Sequence, residues 1–297
     1  LRAPALAPAQ GPGRGAGVGE RGPLHGSGKT RHHQAIAARP GPMTTPLKIL
    51  VTTLTLIAAL YLLACALLAY NARSLLYHPV PRTADVPYWE MPRDDAQLLI
   101  SSNKGPSRQQ RVLYFGGNAE DVSQAVPMLE QAFPDATVHA MHYRGYGGSG
   151  SSPTEARLIA DALALYDATA GGATDITVIG RSLGSGVAIQ LAAARPVQRL
   201  VLITPYDSIG DLAARMFPIF PVRLLLRDHY DSYRHAARIT APTTLIIAGR
   251  DEVIPNASSL RLLRNFRPGV AQAVTIADAD HNDVSAYPEF AQALRGN

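Results

Sequence analysis

The run Thr177-Val178-Ile179-Gly180-Arg181-Ser182-Leu183-Gly184-Ser185-Gly186 constrains the fold more than any other stretch of this chain. A short β-branched segment ends in Gly-x-Ser-x-Gly, and a small-residue helical stretch, Val187 to Ala194, follows directly. Strand, glycine-flanked serine and helix in that order is the context of a nucleophile elbow, a sharp turn that lifts the serine hydroxyl clear of the sheet. Such a turn strains the serine backbone and requires Gly180 and Gly184 to be nearly free of side chain.

The surrounding sequence keeps the same rhythm. Strand candidates are Gln97 to Ser101, Arg111 to Phe115, Thr137 to His142, Asp175 to Ile179, Arg199 to Ile203, Thr243 to Ala248 and Gln272 to Ile276. Helical patterns begin near Ala119, Thr154, Leu183, Asn256 and Ser285. Alternation of buried strands with helices predicts an α/β domain over 96–297, with a mostly parallel sheet flanked by helices. The rhythm breaks at 207–239. There, Met216-Phe217-Pro218-Ile219-Phe220-Pro221 is too apolar for an exposed loop and too proline-broken for one long helix. It reads as a small helical cap, with Met216, Phe217 and Phe220 as candidate substrate-binding residues.

A serine hydroxyl is a weak nucleophile at neutral pH and needs a base, which in turn needs an orienting acid. On this strand–helix pattern the acid and then the base follow the serine in chain order, each on a loop after a later strand. Six histidines lie beyond Met43, and only His281 falls in the loop after the last strand candidate. Asp251, in Gly249-Arg250-Asp251-Glu252 after Thr243 to Ala248, is the favoured acid; Glu252 and Asp207 compete with it. An oxyanion site needs two backbone N–H groups. Leu183, after the serine, supplies one, and Asn118 in the Gly116-Gly117-Asn118-Ala119 turn is the candidate for the other.

Residues 1–42 are rich in Gly, Pro, Ala and Arg, show no apolar periodicity, and read as a disordered tail. They precede the first methionine, Met43, which reads as the biological start, with the upstream stretch a gene-model extension. The tail holds six of the 28 Lys/Arg and one of the 23 Asp/Glu, so the remainder is formally neutral. No basic patch points to nucleic acid. Gly26-Ser27-Gly28-Lys29-Thr30 resembles the end of a phosphate-binding loop, but Pro23 stands where the leading glycine belongs and no strand precedes it.

From Ile49 to Ala72 the chain carries no charge. At ~1.5 Å per residue this run reaches about 36 Å, enough for a ~30 Å hydrocarbon layer, and predicts a transmembrane anchor over 47–72. Leu62-Leu63-Ala64-Cys65 resembles a lipoprotein cleavage site, but the apolar run continues past Cys65, which favours an uncleaved anchor. A short N-terminus places the bulk of the chain on the extracytoplasmic side. Residues 73–95, with Pro79, Pro81, Pro87 and Pro92, read as an extended connector.

Six motifs occur in order, the elbow among them: FGGNAED at 115–121, YRGYGGSG at 143–150, GRSLGSG at 180–186, TPYDS at 204–208, GRDEVIP at 249–255 and HNDV at 281–284. With the anchor and the Leu-Leu-Tyr-x-Pro connector they resemble the membrane-anchored α/β-hydrolases related to the yeast bud-emergence protein and to protein depalmitoylases. The resemblance runs from about Leu47 to the C-terminus. It implies an α/β-hydrolase fold and a serine esterase or thioesterase acting on small-molecule or lipid-like esters through Ser182, Asp251 and His281. That chemistry requires no metal or organic cofactor. The chain departs from the family where Gly116 replaces a usual histidine, and it lacks the N-terminal cysteine cluster of the animal depalmitoylases. A peptidase or amidase on the same fold, or a non-catalytic membrane scaffold, are the alternatives.

Overall fold

A computed structural model describes residues 43–103, 109–171, 173 and 175–296. The expected disorder of residues 1–42, and the Gly26–Thr30 motif within them, lie outside the described residues. The chain divides into a unit ending at Val51 and a second unit, Thr52–Asn297. Of the first, the described part is Met43, Thr44 and the opening turns of α1 (Thr45–Leu76). All remaining elements belong to the second.

By length and composition α1 is able to cross a membrane, with a mean hydropathy of 2.3 over its apolar window. Apolar residues surround it on every side, yet one stripe is engaged. Cys65 is buried, and the Tyr61 ring stacks on Phe220 with centroids 5.9 Å apart while its hydroxyl donates to the Ile219 carbonyl at 2.9 Å. The helix stops before Pro79, whose ring cannot continue it. The chain leaving it is clamped. Asn118 Nδ2 donates to the Leu76 carbonyl at 2.6 Å, and the His78 N–H donates to Asn118 Oδ1 and to Tyr146 Oη. Arg73 pairs with Asp228 at 3.0 Å, and the hydroxyls of Tyr77 and Tyr230 meet at 2.9 Å.

The sheet has eight strands: β1 (Tyr88–Arg93), β2 (Ala96–Ser102), β3 (Gln110–Phe115), β4 (Ala136–Met141), β5 (Asp175–Arg181), β6 (Arg199–Ile203), β7 (Thr243–Ala248) and β8 (Ala271–Ile276). Their spatial order is β1-β2-β4-β3-β5-β6-β7-β8. β2 runs antiparallel to both neighbours and every other pairing is parallel. β6 and β7 are buried almost throughout, which matches their uninterrupted apolar sequences. Successive residues point to opposite cores. Val178, Leu200, Leu202 and Leu245 join one, while Ile179, Val201, Ile203 and Ile246 join the other.

Helices α2 (Val126–Ala132), α3 (Glu155–Thr169), α4 (Leu183–Ala192), α5 (Ile209–Met216), α6 (Val222–Leu225), α7 (Tyr233–Ala236), α8 (Asn256–Leu263) and α9 (Pro288–Arg295) complete the described elements. α5 to α7 form the cap. Two expectations need correction. The connector contains a strand, β1, which Pro87 and Pro92 conceal from a sequence pattern; an edge strand tolerates proline because one side of its backbone needs no ladder bond. The helix expected from Ala119 begins at Val126, because Asp121 caps a 3-10 turn at Val122–Ala125 by accepting the Ser123 N–H at 3.0 Å.

Candidate active site

The carboxyl ends of the parallel strands carry the site, as the fold dictates. Backbone strain collects there: Ala119 after β3, Ser182 after β5 and Thr204 after β6 all have positive φ, an arrangement costing on the order of 1–3 kcal/mol each. Ser182 itself takes the positive φ of the turn (φ 47°, ψ −117°), so its flanking glycines answer to space rather than to their own φ. A Cβ at Gly180 would strike the Gly184 carbonyl oxygen and Ala188; one at Gly184 would strike the carbonyl oxygens of Phe115 and Gly116. The elbow is pinned by the Ser182 N–H donating to Ile203 O at 2.9 Å and by the buried Tyr206 hydroxyl donating to Leu183 O at 3.0 Å.

His281 sits in the loop after β8, with Nε2 2.9 Å from Ser182 Oγ and Nδ1 2.8 Å from Asp251 Oδ2. Asp251 Oδ1 accepts the N–H groups of Val253 at 2.9 Å and Ile254 at 2.7 Å. The carboxylate is therefore held on both oxygens, and its side chain is only 2% exposed. The histidine loop has its own braces. Asp280 accepts from the N–H groups of Asn282 and Asp283, and those bonds hold its carboxyl below the ordinary value. Arg181, next to the serine, donates to the Asn282 carbonyl at 3.1 Å, and Arg250 N–H donates to Ala279 O at 2.9 Å.

The competing residues are engaged elsewhere. Asp207 pairs with Arg261 at 2.5 Å and accepts from the Ser258 hydroxyl. Burial alone would raise its pKa, but those partners outweigh burial and hold it below the ordinary range. Glu252 is exposed. His139 and His142 lie in β4 and just after it, bonded to Trp89 and Ser101, and burial lowers both to about 4. Among the described residues no group of three or more His, Cys, Asp or Glu could hold a metal ion.

A small polar cleft of about 170 Å³ is lined by Gly117, Asn118, Ser182 and His281. Glu120 accepts the Gly117 N–H at 2.6 Å and the Tyr114 hydroxyl at 2.5 Å, which fixes the turn and takes that N–H out of use. The Asn118 N–H has no partner among the described residues, whereas its side-chain amide is committed to the chain leaving α1. Leu183 opens α4, where helix N–H groups lack intrahelical acceptors. Met216 and Phe217 line a second, apolar cleft of about 380 Å³ that Asn118 also borders. Phe220 does not line it; its ring is taken up by Tyr61. Sequence reasoning overlooks Leu68, Ala72 and Leu75, which line the same cleft from α1. Their spacing is helical, but a helix apolar all round hides which face is engaged.

A family profile described as alpha/beta hydrolase fold matches residues 111–228. An uncharacterized protein of Mycobacterium tuberculosis is 35% identical over 188 residues, covering 62% of this chain and 65% of the relative. The chain thus spans about 65% of the length of that relative. Protein bem46 of Schizosaccharomyces pombe is 27% identical over 211 residues, covering 67% and 70% of the two chains. Alpha/beta hydrolase domain-containing protein 17B of Homo sapiens is 26% identical over 198 residues, covering 64% and 66%. The crystal structure of a hydrolase from Pseudomonas aeruginosa shares the fold, with a TM-score of 0.57 at 21% identity over 72% of this chain and 98% of that one. With its β1-β2-β4-β3-β5-β6-β7-β8 sheet and its elbow after β5, the chain has the α/β-hydrolase fold and is related to the family of Protein bem46 and alpha/beta hydrolase domain-containing protein 17B.

Proposed function

We propose that the protein is a membrane-anchored serine hydrolase that cleaves carboxylic esters or thioesters through an acyl-enzyme. The observation that carries this reading is the chain of hydrogen bonds from Ser182 through His281 to Asp251, built on a serine held at positive φ. Ser182 Oγ attacks the carbonyl carbon while His281 Nε2 takes its proton. The N–H groups of Leu183 and Asn118 stabilise the oxyanion, a contribution on the order of 3 kcal/mol for one such donor. Collapse of the tetrahedral intermediate breaks the bond to the alcohol or thiol, which leaves with the proton from His281. Water then attacks the acyl-enzyme, His281 takes its proton, and the carboxylic acid departs as Ser182 regains its hydrogen. Asp251 holds the imidazole with Nδ1–H toward itself and Nε2 free to accept.

The anchor is α1, whose uncharged run is long enough to span a hydrocarbon layer. With the bulk of the chain on the extracytoplasmic side, substrates come from that compartment or its leaflet. The test is Ser182→Ala in the full chain, with a fluorophosphonate probe and p-nitrophenyl butyrate. Loss of both labelling and hydrolysis is expected. Undiminished labelling of the variant would overturn the assignment.

A further inference from the structure

We propose that the last turns of α1 form one wall of the substrate pocket, and that this wall selects a long acyl chain drawn laterally from the bilayer. The inference rests on the ester or thioester hydrolase reading and deepens it. The apolar cleft is lined by Leu68, Ala72 and Leu75 of α1, by Met216 and Phe217 of the cap, and by Ile254 of the acid loop. Ile254 donates its N–H to Asp251, so the cleft begins one residue's reach from the relay. Asn118 borders both clefts, which places the apolar one beside the serine. The Asn118 side-chain amide is engaged by the Leu76 carbonyl and the His78 N–H, which ties this shared border to the end of α1. At ~30 Å³ for a water-sized group, a methylene included, the cleft has room for roughly a dozen.

The depth of the cap along α1 places the mouth in lipid. About 20 helical residues cross the hydrocarbon layer. Every window of about that length within Thr45–Leu76 contains Tyr61, whichever turns are immersed. Tyr61 is the residue that touches Ile219 and Phe220 at the tip of the cap. The tip therefore lies at hydrocarbon depth. The exposed surface agrees: Met216 (73%) and Val253 (58%) line the cleft and Ile219 (73%) and Leu224 (85%) belong to the same cap, all large apolar residues left uncovered. A contiguous exposed apolar surface of this kind suits lipid better than water.

The test uses the full chain in phospholipid nanodiscs, with p-nitrophenyl esters of four and twelve carbons. The readout is the ratio of kcat/KM for the twelve-carbon over the four-carbon ester. Ala72→Phe fills the cleft from the helix side and should lower that ratio about tenfold. Leu68→Ala enlarges it and should raise the ratio, so the proposal stays testable if the Phe variant does not fold. Leu67→Phe, on the outward face, should leave the ratio unchanged. An unchanged ratio in both pocket variants, or an equal shift in Leu67→Phe, overturns the wall. Diluting the twelve-carbon ester with inert lipid at fixed total ester should slow its hydrolysis; a rate insensitive to lipid overturns entry from the bilayer. Four-carbon hydrolysis that survives Ser182→Ala sinks the hydrolase reading itself, an outcome distinct from either.

Discussion

Asp251→Asn is the substitution whose result the geometry constrains most tightly. Oδ1 of Asp251 accepts two backbone N–H groups, at 2.9 and 2.7 Å, while Oδ2 faces His281 Nδ1 at 2.8 Å. An asparagine has one oxygen to offer. Turned away from Val253 and Ile254, it would leave two N–H groups facing an NH₂, at about 1–3 kcal/mol each. The oxygen therefore stays with the loop, and the amide nitrogen is delivered to His281. That nitrogen donates, so Nδ1 must accept and the imidazole proton moves to Nε2. Nε2–H then points at Ser182 Oγ, 2.9 Å away, with no lone pair to receive the serine proton. The expected loss is about 10⁴ in kcat, or ~5.5 kcal/mol of transition-state stabilisation at ~1.4 kcal/mol per decade. The assay is kcat for p-nitrophenyl butyrate together with the rate of fluorophosphonate labelling. The melting temperature should barely move, since both loop hydrogen bonds survive. More than a tenth of the parental kcat in this variant would refute the tautomer argument. A comparable loss from Asp207→Asn with Asp251→Asn active would move the acid to the other loop.

Three further outcomes are expected. Gly184→Ala drives a methyl group into the carbonyl oxygens of Phe115 and Gly116, and should cost at least the ~1–3 kcal/mol typical of overpacking, visible as a lowered melting temperature and weaker fluorophosphonate labelling. Arg261→Ala removes the ion-pair partner of Asp207, whose side chain is 7% exposed, and should destabilise the fold by about 1–3 kcal/mol in denaturant titrations; the half-open flank of the pair keeps the figure modest. Stability should fall as pH drops from ~6.5 toward 4, because burial holds His139 and His142 at about 4 while the unfolded chain protonates them near the ordinary 6.5. The unfolded state binds more protons in that window, so each histidine takes away up to roughly 3 kcal/mol, none of it above neutral pH. Melting curves at pH 7.5 and 5, compared with those of a His139→Gln variant, check the sign.

The sheet was legible wherever burial acts on both faces. Arg199–Ile203 and Thr243–Ala248 coincide with β6 and β7 because short apolar, β-branched runs bounded by turn residues mark strands buried on both faces. β1 was hidden because its residue types do not follow its alternating burial: aromatic Tyr88 and Pro92 stand on the exposed face and Arg93 on the covered one. At the site, chain order points to Ser182, to His281 and to the loop after β7, while Asp251 still competes there with Glu252 and with Asp207 after β6. What supports them is not periodic. Arg181 reaching the histidine loop and Tyr206 under the elbow depend on contacts between residues far apart in sequence, and Glu120 gripping Gly117 three residues away is a turn contact with no repeat to mark it. The cap is opaque for another reason: α6 and α7 are four residues each, too short to repeat any pattern. Phe220 shows the consequence, since only packing reveals that its ring faces Tyr61 rather than the cleft.

The clamp formed by Asn118 bears on how a soluble version of this protein would behave. One residue lines the polar cleft and spends its side chain on the carbonyl of Leu76 and the N–H of His78. A truncation starting after the helix would remove one of those partners outright and fray the other. It would also strip away the ion pair of Asp228 and the side of the apolar cleft that Leu68 and Ala72 supply. The helix is thus a structural part of the α/β-hydrolase domain, and a shortened chain that has lost activity would say nothing against Ser182.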